Sequence, residues 1–76
     1  MITIYDFNGM NEAGQADAVF TAGVFVDDRD DEGMKVQLCR LHSFYVEVYY
    51  DPASNKITRY RSFKSAGQLA PYVKLN

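Results

Sequence analysis

Hydrophobic and polar positions alternate most clearly in the middle of the chain. Met34–Leu41 (MKVQLCRL) sets Met34, Val36 and Leu38 on one side and Lys35, Gln37 and Cys39 on the other, the period of a half-buried strand. His42-Ser43 reads as the bend into the next element. Phe44–Phe63 (FYVEVYYDPASNKITRYRSF) then reads as a hairpin: Asp51 suits the first position of a type I turn, Pro52 presets φ at the second, and Asn55 tolerates a left-handed backbone. Pairing Glu47 with Arg59 sets Tyr45 opposite Arg61 and Tyr49 opposite Ile57. One face then collects Phe44, Val46, Val48, Thr58, Tyr60 and Ser62. The other collects Tyr45, Glu47, Tyr49, Ile57, Arg59 and Arg61. A slip of one residue would bring Arg59 and Arg61 beside Val46 and Val48, where an unpaired charge costs several kcal/mol.

Upstream, Val24-Phe25-Val26 starts a further strand, and Asp27–Gly33 reads as an acidic loop. Residues 2–7 alternate weakly, as a short edge strand or an extended arm. Asn8-Gly9 is a turn signal and Asn11 a good N-cap. Ala13, Ala16, Phe20 and Gly23 then share one helical face, widened by Val19, with Gly23 placed to end the helix in a left-handed conformation. At the far end, Ser65-Ala66-Gly67-Gln68 has a capping-box pattern, and Ala66, Leu69, Ala70 and Val73 share a face. Pro71 removes a backbone donor and keeps that helix short or kinked.

The order is helix, three or four antiparallel strands, short helix. The expected fold is a single α+β domain over residues 1–76, an antiparallel meander with both helices covering one face. A chain of 76 residues buries roughly 60% of its unfolded surface, enough for one thin core and too little for a deep substrate cavity. One cysteine, Cys39, excludes an internal disulfide and a Cys-based zinc cage. The N-terminus has neither the basic start nor the apolar run of a signal peptide, and no apolar stretch approaches the roughly 20 residues that span a bilayer. A soluble cytoplasmic protein without a membrane partner is expected.

Charge is divided along the chain. Residues 1–33 hold eight acids and one base, a net of −7, and residues 34–76 hold seven bases and two acids, a net of +5. Such a split marks a charged binding face, or two halves that neutralise each other on packing.

Candidate chemistry is sparse. Asp28-x-Asp30-x-Glu32-Gly33 fits the opening of a calcium loop, but its twelfth position is Cys39, where a bidentate carboxylate is required. Cys39 and His42 lie three residues apart on or near a strand and point to opposite faces, so they form no nucleophile–base pair. Ser43 has no glycine elbow, and the five glycines form no phosphate loop. No catalytic residue, metal or cofactor is expected, and the chain reads as non-enzymatic. The remaining candidate is the face built from Tyr45, Tyr49, Ile57, Arg59 and Arg61. Tyr and Arg are enriched at interface hot spots, so a protein partner or a second copy of the chain is the first expectation. Single-stranded nucleic acid, stacked on tyrosines and held by arginines, is the alternative. A pI of about 5.1, and Glu47 in the centre of the face, weigh against it. Cation binding by the acidic loop is the third reading.

Overall fold

The computed structural model describes residues 1–73. Lys74, counted above in the basic half, lies outside the described residues. Four strands, β1 (Val24–Asp31), β2 (Met34–Leu41), β3 (Phe44–Asp51) and β4 (Lys56–Phe63), form one open antiparallel sheet in the order β1-β2-β3-β4. Two α-helices precede it, α1 (Ile4–Asn8) and α2 (Glu12–Ala22), and a 3-10 helix, Ala66–Tyr72, follows it. The α+β class and the meander are as expected. No helix among the described residues is long and apolar enough to cross a membrane.

Residues 2–7 are not extended. Thr3 caps α1: its hydroxyl accepts from the Asp6 amide at 3.1 Å, and the Asp6 carboxylate accepts from the Thr3 amide at 3.0 Å. This reciprocal box satisfies two donors of the first turn and turns the segment helical. Asn11 caps α2 through the Gly14 amide at 2.8 Å, as its sequence implies. The buried face of α2 differs from the expected one. Ala18 is the residue that packs down, 4% exposed, while Phe20 is 90% exposed. A small side chain at the contact lets the helix approach the sheet closely, and the 3.6-residue period then carries Phe20 outwards. Gly23 ends α2 with φ −76° and ψ 139°, an extended and not a left-handed conformation. Its glycine is required by space, because a Cβ there would sit 2.5 Å from the Val19 carbonyl oxygen.

The acidic stretch is strand rather than loop. β1 runs to Asp31, opposite Met34, and only Glu32 and Gly33 turn, with φ of 51° and 85°. Positive φ at both central residues matches the right-handed twist of a two-residue hairpin. His42 takes the second bend with φ 55°. In the third, Asn55 has φ 59° and its amide donates to the Asp51 carbonyl at 2.8 Å, while Asp51 Oδ1 accepts from the Ala53 amide.

The β3–β4 register differs from the expected one by two residues. Glu47 pairs with Arg61, Tyr45 with Phe63 and Tyr49 with Arg59. The four-residue turn Pro52–Asn55 adds one position, and an irregularity between Tyr49 and Tyr50 adds the second. A two-residue shift keeps every side chain on its face, so alternation does not distinguish the two registers. Beyond the irregularity, Ile57 pairs with Tyr50 and lies on the opposite face from the arginines.

The sheet is apolar on both sides. On one, Cys39, Leu41, Phe44, Val46 and Val48 pack with Phe7 of α1 and Ala18 of α2. Phe7 contacts the rings of Phe44 at 5.8 Å and Tyr60 at 6.3 Å. On the other, Val36 and Leu38 lie beside Tyr49 and Glu47 in register. That second apolar strip needs its own cover. The 3-10 helix therefore crosses the face opposite α1 and α2, instead of joining them.

These packing constraints predict opposite outcomes for two glycine substitutions. Gly23→Ala forces a methyl against backbone and should destabilise by about 1–3 kcal/mol. Gly67→Ala meets nothing closer than Ser65 Oγ at 3.5 Å, and should be neutral or stabilising by about 0.4–1 kcal/mol. Urea unfolding midpoints of the two variants measure the contrast.

Candidate functional site

The sheet face expected to be open is centred on a side chain with no exposure at all, Glu47. Four elements converge on its carboxylate. Arg29 of β1 donates through Nε at 3.2 Å and Nη2 at 3.0 Å to Oε2. Arg61 of β4 donates through Nε at 3.0 Å to Oε1. The Tyr72 hydroxyl, from the 3-10 helix, donates to Oε2 at 2.5 Å. Tyr49 of β3 approaches Oε1 at 3.5 Å and accepts from Arg29 Nη2 at 3.2 Å. Gln68 accepts from Arg61 Nη1 at 2.6 Å, and so ties the 3-10 helix to β4. No buried side-chain nitrogen or oxygen among the described residues lacks a partner.

Burial alone would raise the Glu47 carboxyl. The Tyr72 hydroxyl and the Arg29 and Arg61 charges outweigh it, and the net effect holds the carboxyl below its ordinary range. Burial and the neighbouring carboxylate both push the Tyr72 phenol up, and the adjacent Arg29 guanidinium opposes them without reversing the shift. Arg29 is desolvated, yet the adjacent Tyr72 hydroxyl and Glu47 carboxylate raise its pKa further. All three groups are locked in the forms they hold at neutral pH: carboxylate, phenol and guanidinium. None is poised for proton transfer near pH 7.

This arrangement redistributes the five partner-face residues. Tyr49 is 5% exposed. Arg61 is half-buried and committed to Glu47. Tyr45 is half-buried and stacks on Phe63 at 5.5 Å. Arg59 is exposed, its guanidinium 4.1 Å over the Tyr49 ring. Ile57 is exposed on the other face. The face is therefore not a free tyrosine–arginine platform: two of its three arginines, Arg29 and Arg61, bind a carboxylate. Arg29 and Tyr72 carry no local motif and come together only through tertiary structure. The acids of β1 alternate, with Asp28 and Asp30 in register with Gln37 and Lys35 on one face, and Asp27 and Asp31 with Leu38 and Met34 on the other. Among the described residues no group of three or more His, Cys, Asp or Glu side chains is placed to hold a metal ion.

An accessible surface lies on the helix side, where α1 and α2 cover only part of the sheet. A shallow groove of about 540 Å³ runs between α2 and the sheet, lined by Ala16, Asp17, Val19, Phe20, Gln37, Val48, Ile57 and Tyr60. It continues over Gln37, Val48 and Ile57 towards Tyr50, Lys35, Asp28 and Asp30. Cys39 is buried on this side, and burial raises its thiol. No family model, curated protein or solved structure matches the chain.

The Glu47 cluster generates a pH prediction with a definite sign. A carboxyl whose folded pKa lies below its unfolded value of about 4.3 contributes its full stabilisation above that value. The contribution is lost as pH falls through the lower folded pKa. Glu47→Gln should destabilise at neutral pH by about 3–5 kcal/mol, because Arg29 and Arg61 lose their counter-charge, and its stability should fall less steeply than wild type in acid. Tyr72→Phe should cost about 1.5–3 kcal/mol, the range for a hydrogen bond to a charged group. Urea titrations from neutral pH into acid measure both.

Proposed function

We propose that the chain is a non-catalytic protein-interaction module. Its docking surface is the groove between α2 and the outer half of the sheet, not the tyrosine–arginine face. The observation that carries this reading is Phe20: a large aromatic side chain, 90% exposed, at the edge of an apolar trough that includes half-exposed Ile57. Contiguous exposed apolar surface beside polar residues is the signature of a protein contact, whereas single exposed hydrophobics are ordinary.

Charge selects the occupant. Asp17 lines the groove, and Asp28 and Asp30 line its continuation. Lys35 is bridged to Asp30 at 2.8 Å. α2 carries Glu12 and Asp17 and no base. A second copy seated by α2 would therefore meet like charge, and a segment with apolar anchors flanked by Lys or Arg meets opposite charge. An amphipathic helix laid into the trough fits this chemistry. A reduced, buried Cys39 agrees with a cytoplasmic setting.

The test uses a synthetic amphipathic peptide with leucines on one face and lysines on the other, and a scrambled peptide of the same composition. Amide shifts should concentrate at Ala16–Phe20, Gln37, Val48, Ile57 and Tyr60 with the patterned peptide alone. Phe20→Asp should weaken binding about tenfold or more, the equivalent of about 1.4 kcal/mol. Equal response to both peptides, or shifts centred on Tyr45, Tyr49, Arg59 and Arg61, would overturn the groove reading.

A further inference from the structure

The divided charge of the sequence becomes two oppositely charged edges of one open sheet. β1 is one edge and β4 the other. From Asp27 to Glu32 the first edge has five acids and one base. From Lys56 to Lys64 the second has four bases and no acid. Three strand spacings separate them, about 14 Å, which exceeds the screening length of about 8 Å at physiological salt. The edges therefore do not neutralise each other within one molecule. Arg29 and Arg61 are the exceptions: both reach inwards to Glu47 in the middle of the sheet, and Arg29 also lies 3.6 Å from Asp31 on its own edge.

We propose that this protein self-associates head to tail, β4 of one copy pairing with β1 of the next. The inference goes beyond the groove, which is a different surface. An edge strand presents unpaired amides and carbonyls that accept a further strand. Two edges of like sign disfavour β1–β1 and β4–β4 pairing, since like charges directly opposite are destabilising. The mixed pairing brings opposite charges together. Strand number also allows it: in a four-stranded meander β4 runs antiparallel to β1, so a translated copy continues the antiparallel alternation. Val24, Phe25 and Val26 are about half exposed at the start of β1 and offer apolar area to cover. Because the two surfaces differ, the contact is heterologous and does not close at two copies. It grows into a ring or an open filament.

Sedimentation of the full chain over a range of concentrations tests this. At low salt the weight-average mass should climb past that of a dimer, and high salt should return it to one chain. Two charge-reversed variants sharpen the result. Asp28→Lys/Asp30→Lys/Glu32→Lys leaves the β1 edge with four bases and two acids, so both edges are basic, and Lys56→Glu/Arg59→Glu/Lys64→Glu leaves the β4 edge with three acids and one base, so both are acidic. Each alone should stay a single chain, and an equal mixture should assemble, because every contact between unlike copies is again of opposite sign. Circular dichroism of each variant confirms that it folds before mixing. Phe20→Asp, which alters the groove alone, should assemble as wild type does. A wild type that remains a single chain throughout, one that stops at a dimer, or a mixture that fails to assemble would overturn the proposal. So would charge-reversed variants that assemble on their own.

Discussion

One buried carboxylate organises this fold. Glu47 sits at the centre of a thin sheet without solvent access, and an unpaired charge there would cost several kcal/mol. Its partners come from β1, β4 and the C-terminal 3-10 helix, with Tyr49 beside it on β3. Satisfying one side chain therefore fixes both edge strands relative to the centre and draws the 3-10 helix across the face. The ion cluster need not add much net stability over an apolar trio of the same volume. What it penalises is every arrangement that leaves the carboxylate alone: a slipped β4, a detached 3-10 helix, or a β1 shifted away from Arg29.

The same cluster occupies much of the face that the sequence assigns to a partner. A tyrosine–arginine face needs free guanidinium groups and open rings to grip a phosphate or stack a base. Here Arg29 and Arg61 face inwards to Glu47, Tyr49 is beneath the Arg59 guanidinium, and Tyr72 closes over the centre. The opposite face is less completely covered. α2 is only eleven residues long and packs through Ala18, and a groove remains between it and the sheet. The groove is a consequence of having too little chain to cover two apolar faces, in line with the modest burial available at this length.

Local signals carried much of this architecture. The alternation in β2, the Asp51-Pro52 turn with Asn55, and the Asn11 cap depend on residues close in sequence, and each stands as read. Three features depended on information of another kind. The β3–β4 register shifted by two residues, a change that a period-two pattern cannot detect, and the irregularity at Tyr49–Tyr50 then turned Ile57 to the other face. The orientation of α2 was decided by the fit of Ala18 against the sheet rather than by the bulk of Phe20. Tyr72 meets Glu47 across 25 residues of sequence, and no spacing rule reaches that far. The α1 cap was legible: Thr3-x-x-Asp6 has the form of a capping box with aspartate in place of glutamate, but the weak alternation of Ile2 and Ile4 read as extended. In the site, the central place of Glu47 on its face was legible, and its partners were not, because Arg29 and Arg61 reach it through strand order and register.

The perimeter is then the part of the molecule with unspent interaction capacity. Both sheet centres are packed, and the strongest ion pairs are internal. Asp27, Asp28, Asp30 and Asp31 remain on one edge strand, and Lys56 and Arg59 on the other. An acidic edge with a bulge between Phe25 and Asp27 has the features by which natural sheets avoid pairing with themselves. Those features act through like-charge repulsion, so their protection extends only to a partner edge of the same sign. In this molecule the other edge has the opposite sign. Repulsion that protects each edge from its own kind becomes attraction between unlike edges, and ionic strength should govern the result, since exposed charges are screened over a few ångströms at high salt. The charge division that first shows as a bias along the chain thus acts across the sheet, and it sets which contacts between copies are disfavoured and which are not.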